Sequence, residues 1–254
     1  MLEEKENINN EFENEPPFKK SPGFKDWIYR LTIFLIGFIG FEILSVVVVL
    51  IVGVINPLYI DNSSELYITG NTLINTITYT ILVLIFVALL YPRLPYLLRK
   101  FKDWKTDFIG LAFGAMIIMA TIVYSLIINY FITVETNSNE IAAESIISAY
   151  PIISIFVLGI FGPICEEITY RYGLFSLVKK KFKILAYVVT ILLFALIHFD
   201  FTGNLITELL NLPSYIIAGL ILTFTYDRFG FNASVIAHVS NNLFAIITTI
   251  VASK

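Results

Sequence analysis

Two imidazoles, two carboxylates and one guanidinium lie within long apolar stretches in the C-terminal half of this 254-residue chain. Glu166 and Glu167 precede Arg171, and His198 and His238 are the only two histidines in the sequence. An ionisable group at the centre of a bilayer costs at least a few kcal/mol, so it normally faces a bundle interior or a wet cavity. These residue types therefore predict a catalytic site built within a membrane.

The first candidate group combines the two acids with the arginine. Glu167 and Arg171 are four residues apart with the acid first, which is the favourable order for an ion pair on one helix face. Glu166 points about 100° away from that face and lacks the partner, so it is the acid that could serve as a general base. Pro163, just before the acids, predicts a kink or a small water-accessible opening. A buried ion-pair staple between helices is the alternative interpretation.

The other candidate groups are His198, at the end of the fifth apolar stretch, and the pair His238 and Asn242 in the seventh. His238 and Asn242 share a helix face because they are four residues apart, and two groups aimed at one spot could hold a developing oxyanion. A packing histidine and an interhelical polar clasp are the alternatives. At 1.5 Å per residue from the basic helix ends, Glu166, His198 and Asn242 lie about 15–25 Å deep and His238 about 10 Å, which is compatible with one site.

Cys165 adjoins Glu166 and raises the alternative of a cysteine nucleophile. A reactive cysteine needs an electropositive and accessible setting, whereas two carboxylates follow this one directly. We therefore expect Cys165 to be a buried packing residue.

Composition predicts the elements that position these groups. Of all residues 57% are hydrophobic and 15% charged, with a net charge of −3, whereas a soluble domain carries about a quarter charged residues. Apolar stretches near the ~20 residues that cross a bilayer as a helix, without the alternation of barrel strands, indicate membrane helices. They cover roughly 28–55, 71–91, 107–133, 150–178, 183–199, 205–226 and 231–251. We predict an all-α, polytopic membrane helical bundle of about seven transmembrane helices.

Basic residues occupy every second connection between these stretches, and the connections near 56–70, 134–149 and 199–208 carry acids instead. By the positive-inside rule, the N-terminus is predicted to be cytoplasmic and the C-terminus outside. We divide the chain into a disordered acidic tail, 1–26, that is no signal peptide, N-terminal transmembrane helices, 27–149, and a catalytic helical core, 150–254.

The polar residues form three ordered motifs, which are Glu-Glu-x-x-x-Arg at 166–171, Phe-x-x-x-His at 194–198 and His-x-x-x-Asn at 238–242. They resemble the three motifs of the CAAX protease and bacteriocin-processing family, also called Abi proteins. The stretch from Gly219 to Arg228 also resembles the family's sequence before its last motif. The resemblance covers about 150–245 and implies an intramembrane endopeptidase of the glutamate type with a four-helix catalytic core.

The resemblance also implies roles for individual residues. Glu166 and His198 would activate a water molecule for attack on the scissile carbonyl, and His238 with Asn242 would stabilise the oxyanion. Glu167 and Arg171 would support them, with Arg171 holding the helix or a substrate terminus.

Metal dependence is open at the level of the sequence. The family is often labelled metalloprotease, and two histidines and two glutamates could form a zinc site. However, the chain has no HExxH-type spacing, and a histidine paired with an asparagine is more typical of an oxyanion clamp. We expect no bound cofactor and favour a metal-free mechanism.

The expected partners are a peptide or membrane-protein substrate and the lipid bilayer, with no nucleic acid, while the sequence leaves the oligomeric state unknown. In a bacterial cell membrane, a peptide leader, signalling peptide or bacteriocin precursor is a more suitable substrate than a prenylated CAAX protein. Two alternatives stay open. One is a non-proteolytic protein of the same fold that gives self-immunity to a bacteriocin or scaffolds a partner. The other is a small transporter, although no inverted repeat is recognisable.

Overall fold

The computed structural model describes residues 24–253 except 102. The predicted acidic tail lies outside the described residues apart from its last three positions, which begin the first helix. Within the described residues every regular element is helical. The helices are α1 (Phe24–Ile55), α2 (Tyr67–Leu90), α3 (Leu94–Lys100), α4 (Trp104–Phe131), α5 (Ser138–Ala149), α6 (Pro151–Lys179), α7 (Lys183–Leu196), α8 (Leu205–Phe229) and α9 (Phe231–Ala252), with a short 3₁₀ turn at Pro57–Tyr59.

Six of these helices, α1, α2, α4, α6, α8 and α9, are long and apolar enough to cross a membrane. The predicted polytopic helical membrane bundle is thereby confirmed. Its fifth stretch is shorter than expected, because α7 ends at Leu196 after 14 residues, about 21 Å at 1.5 Å per residue. Lys183, at the start of α7, is 2.9 Å from Asp227 at the end of α8. The chain between Lys183 and Leu205 therefore still runs from one end of the bundle to the other.

Basic residues gather at that same end of the described bundle. Arg30 and Arg93 each form an ion pair with Asp26, at 3.2 and 3.1 Å, and Lys180 contacts the same carboxylate. Arg30 also donates to the backbone carbonyl of Tyr172 at 3.0 Å. This network fixes α1 and the turn before α3 against the C-terminal half of α6.

At the opposite end of the bundle, the Glu208 side chain connects two segments of the chain. The Glu208 carboxylate accepts one hydrogen bond from the backbone N–H of Ser138, at 3.0 Å, and one from that of Asp200, at 3.2 Å. The connection before α5 and the connection after α7 therefore meet at the N-terminal end of α8. The two ends of the bundle alternate along the chain as the basic residues predict, while the orientation of the chain in a cell stays a prediction.

Small residues bring α4 against α9, the helix that carries His238. A methyl group added at Gly110 would lie 2.7 Å from Ile236 Cβ, and one added at Gly114 would lie 2.9 Å from the backbone carbonyl of Ala237. Glycines four residues apart on one face let two membrane helices approach this closely. The glycines of α4 therefore fix the position of α9 in the core.

Candidate active site

Helix α6 carries both acids at the junction between an α-helical segment and a wider one. Val157–Phe161 is π-helical, Gly162–Glu166 is α-helical and Glu167–Phe175 is π-helical again. The backbone N–H of Gly162 accordingly reaches the carbonyl of Val157, five residues back. The irregularity expected near Pro163 thus takes the form of a π-helical turn just before it. Such turns are rare and occur frequently at functional sites.

Glu167 and Arg171 form the ion pair that their spacing predicts. Arg171 Nη1 lies 2.8 Å from Glu167 Oε1, and neither side chain is exposed. Arg171 Nη2 also donates to the Gly219 carbonyl of α8 at 3.3 Å, and the guanidinium lies 4.3 Å from the centre of the Phe194 ring of α7. A single side chain of α6 therefore contacts both α7 and α8.

Glu167 is also the anchor of the last motif. His238 Nδ1 lies 2.9 Å from Glu167 Oε1, and the Ser234 hydroxyl, one turn earlier on α9, donates to Glu167 Oε2. Because an ionised carboxylate only accepts, Nδ1 of His238 carries a proton. Its other nitrogen, Nε2, lies 3.8 Å from Glu166 Oε2. The imidazole thus bridges the two neighbouring acids, bonded to one and facing the other.

Glu166 differs from its neighbour in having an uncommitted oxygen. Its Oε2 is buried, and among the residues that the structure describes it has no hydrogen-bond partner. The side chain keeps 16% of its surface exposed, and Glu166 is close enough to act electrostatically on His198. A buried polar atom without a partner is unusual in a native structure and indicates a strained, catalytic or hydrated position.

His198 lies in the turn that follows α7. Its Nδ1 is 2.9 Å from the carbonyl oxygen of Phe194. A carbonyl only accepts, so Nδ1 carries the proton and, in the neutral ring, Nε2 is left as an acceptor. The ring stacks on Tyr215 of α8, with centroids 4.4 Å apart and planes at 18°. His198 is therefore set up to receive a proton or a hydrogen bond at Nε2.

The Phe194 ring joins the two imidazoles. Its centroid lies 5.2 Å from that of His198 and 5.7 Å from that of His238, while Arg171 covers it as described above. The phenylalanine of the Phe-x-x-x-His motif is thus the shared wall of the site. The structure brings together Glu166, Glu167, Arg171 and both histidines.

Asn242 lies farther along α9 and turns towards the backbone of α6. Its Nδ2 donates to the Leu158 carbonyl at 3.1 Å, and its Oδ1 accepts from Asn241 at 3.2 Å. A side-chain amide nitrogen carries two hydrogens, so Asn242 keeps one N–H beyond the bond to Leu158. The sequence places His238 and Asn242 on one face, and the structure adds that only one of the two contacts the acids directly.

Two neighbours of the site were not identified from the sequence. Tyr215 is one, and Tyr79 of α2 is the other. The Tyr79 ring lies 3.7 Å from where a methyl group at Gly162 would be, and its phenol is close enough to interact electrostatically with Glu166. Tyrosine is frequent in this chain, and neither residue has a local spacing that connects it to an acid or a histidine. Only the tertiary contacts reveal them.

Cys165 and a metal ion fit the site poorly. The Cys165 side chain is buried, with 2% exposure, which agrees with a packing role. No three His, Cys, Asp or Glu side chains in the described part of the chain are arranged to hold an ion. Glu167, which would be one of the ligands, instead accepts hydrogen bonds from Arg171, His238 and Ser234.

Comparison with known proteins connects this cluster to a family. Residues 148–244 match the family described as type II CAAX prenyl endopeptidase Rce1-like. That range includes all three motifs, from Glu166 to Asn242. The N-terminal helices lie outside the match.

Two relatives come from Lactococcus lactis subsp. lactis. The UPF0177 protein YxdF is 32% identical over 174 residues, which cover 64% of this chain and 89% of the relative. The UPF0177 protein YvdC is 27% identical over 144 residues, which cover 56% of this chain and 52% of the relative. No solved structure matches this chain.

Proposed function

This chain belongs to the CAAX protease and bacteriocin-processing family, and on that premise we propose that it is an intramembrane endopeptidase. Its substrate would be a peptide precursor or a membrane-associated protein, cleaved by hydrolysis of a peptide bond. The observation that carries the proposal is the uncommitted, buried Oε2 of Glu166, 3.8 Å from His238 Nε2. A carboxylate oxygen that has no hydrogen-bond partner among the described residues and lies beside a histidine side chain is suited to activate water.

Glu166 and His198 would act on the attacking water together. Oε2 of Glu166 and Nε2 of His198 are both acceptors, so a water molecule between them would donate one hydrogen to each. Its lone pair would then point at the scissile carbonyl carbon. As the new carbon–oxygen bond forms, one proton passes to Glu166 and the negative charge moves to the carbonyl oxygen.

That developing charge requires hydrogen-bond donors on the other side. His238 can donate from Nε2 only as an imidazolium, because Nδ1 already faces Glu167. In that state its positive charge would face the carboxylates of Glu166 and Glu167, at 3.8 and 2.9 Å. The second N–H of Asn242 would be the other donor. Preorganised donors of this kind are each worth about 10²–10³ in kcat.

Collapse of the tetrahedral intermediate completes the cycle. The carbon–nitrogen bond breaks, and the proton held by Glu166 passes to the departing amine. Glu167 and Arg171 would not touch the substrate in this scheme. They would hold His238 and the α6, α7 and α8 contacts in place, as their bonds to His238, Phe194 and Gly219 indicate. The mechanism needs no metal.

Comparative peptidomics of cells that express the wild type or Glu166→Ala tests the proposal. We expect at least one peptide product to disappear in Glu166→Ala and in His198→Ala. Glu144→Gln, which removes an exposed carboxylate of α5, is the matched control and should leave the products unchanged. Full processing by Glu166→Ala would refute the proposal. Retention of a bacteriocin-resistance phenotype by that variant would instead support a non-proteolytic immunity or scaffolding role.

A further inference from the structure

We infer that Tyr215 is a positioning residue for His198 and that it links the orientation of this imidazole to helix α5. The inference rests on the proposed function, because it assigns Tyr215 a part in aiming the group that would receive a proton from water. None of the three motifs includes this tyrosine, which lies within the matched residues 148–244.

His198 needs support from outside its own helix. It lies two residues beyond the end of α7, in a turn, where its backbone N–H still donates to the Ala195 carbonyl at 3.2 Å. The bond from Nδ1 to the Phe194 carbonyl decides which nitrogen faces α7. It leaves the tilt of the ring about that bond undetermined. The stack on Tyr215, at 4.4 Å and 18°, sets the plane of the ring and so aims Nε2.

Tyr215 is itself anchored at the beginning of α5. Its hydroxyl accepts hydrogen bonds from Asn137 Nδ2 at 3.1 Å and from Asn139 Nδ2 at 3.3 Å. Asn137 is only 1% exposed, and its side-chain oxygen simultaneously caps α5 by accepting from the Glu140 N–H at 2.8 Å. The tyrosine ring therefore cannot swing away from His198 without breaking contacts to the first turn of α5.

Glu208 makes a second connection between α5 and the turn that carries His198. Glu208 accepts from the backbone N–H of Ser138, at the start of α5, and from that of Asp200, two residues after His198. The start of α5 thus contacts both the ring that stacks on His198 and the turn that carries it. A displacement of α5, whose Ile141 is half-exposed at the surface, would be transmitted to the imidazole along both routes.

The test uses the full chain in nanodiscs with isotope-labelled histidine. Because the sequence has two histidines, a His238→Asn spectrum assigns the resonances of His198. Tyr215→Leu removes both the stack and the hydroxyl, and Tyr215→Phe removes the hydroxyl alone. Tyr215→Met replaces Tyr215→Leu if that variant does not fold. Tyr124→Leu is the matched control, because Tyr124 also bonds α8, at the Leu210 carbonyl, but does not touch His198.

We expect the wild type, Tyr215→Phe and Tyr124→Leu to show a rigid His198 ring with a high order parameter. Tyr215→Leu should lower that order parameter while the proton stays on Nδ1, because the bond to the Phe194 carbonyl is still present. On peptides selected from a proteome-derived library, Tyr215→Leu should lower kcat on the order of 10-fold with KM little changed, because a small misplacement of a reacting group is costly. Tyr215→Phe should retain most of the kcat.

Two results would overturn the inference. One is an unchanged order parameter of the His198 ring together with wild-type kcat in Tyr215→Leu. The other is an equal fall of kcat in Tyr124→Leu, which would indicate general loosening of α8. If the wild type cleaves no library peptide, the proposed function fails on its own account. The order parameter of the His198 ring still decides whether Tyr215 orients His198.

Discussion

Replacing Arg171 by methionine should destabilise the folded bundle by about 3–5 kcal/mol, the usual result of removing one partner of a buried ion pair. Both side chains of the pair with Glu167 have no exposed surface, and their charged atoms are 2.8 Å apart. Methionine fills most of the space next to the Phe194 ring but leaves the Glu167 carboxylate with only His238 and Ser234 as bonded partners. The loss therefore measures an uncompensated buried charge rather than a cavity.

The double variant Glu167→Gln, Arg171→Met separates stability from activity. It removes both charges together, and replacing a whole buried pair by uncharged residues is often close to neutral for stability. We expect most of the lost stability to return. Catalysis should not return, because His238 loses the carboxylate that holds its Nδ1 proton. Lys183→Met is the control and should cost about 0–1 kcal/mol, because Lys183 is half-exposed and the buried Asp227 keeps its contacts with Lys179 and Tyr187.

Reversible unfolding in mixed detergent micelles, followed by circular dichroism, gives the free energies of unfolding of the wild type, Glu167→Gln, Arg171→Met and the double variant. Peptide cleavage is measured on the same preparations. The reasoning is refuted if Arg171→Met costs less than about 1 kcal/mol, the value of an exposed pair. It is also refuted if the stability lost in the double variant equals the sum of the losses in Glu167→Gln and Arg171→Met, since charges in contact should couple.

Three further outcomes are expected. Gly114→Val should lower the free energy of unfolding by about 1–3 kcal/mol, because the added side chain overpacks against the Ala237 carbonyl of α9. Gly40→Ala should be nearly neutral, because the nearest atom to its added methyl group would be 3.8 Å away. Equal losses in the two variants would contradict the close packing of α4 and α9. Chelation with 1,10-phenanthroline should leave peptide cleavage unchanged, because the described residues offer no ligand set; loss of activity that zinc restores would contradict this. Partial desolvation and the neighbouring Glu144 raise the pKa of Glu140, against the opposing hydrogen bond from the Tyr215 hydroxyl, so a small part of the stability is lost as the pH rises through that pKa. Glu140→Gln should therefore raise the melting temperature at pH 8, with a gain that shrinks towards about pH 4, and a gain independent of pH would contradict the assignment.

The parts of this molecule that were predictable from sequence are those set by local periodicity. Six spanning helices follow from apolar length, and the Glu167–Arg171 pair follows from spacing on one helix face. The depth of each residue along its helix indicated that the histidines could approach the acids. The division of the chain at 26 and 150, the cellular orientation and the catalytic roles remain predictions.

The remaining features depend on contacts between distant segments, which periodicity does not encode. Nothing in the spacing of Glu167 and His238 shows that they bond, nor that Tyr215 covers His198. The early end of α7 was also missed, because the apolar pattern continues past Leu196 while the backbone turns. The π-helical segments of α6 have no composition signal, since they follow from hydrogen bonding rather than from residue type.

The π-helical segment Glu167–Phe175 affects which faces of α6 contact the neighbouring helices at its two ends. Each residue of an α-helix advances about 100° around the axis. Hydrogen bonds to the fifth residue back, instead of the fourth, change this angle and rotate the side chains of one half of α6 relative to those of the other half. At one end Glu166 and Glu167 face α9, and at the other the Tyr172 carbonyl meets Arg30. A uniformly α-helical rod that kept one of these faces aligned would rotate the other out of contact. The irregular winding is therefore what allows a single helix to serve two docking directions.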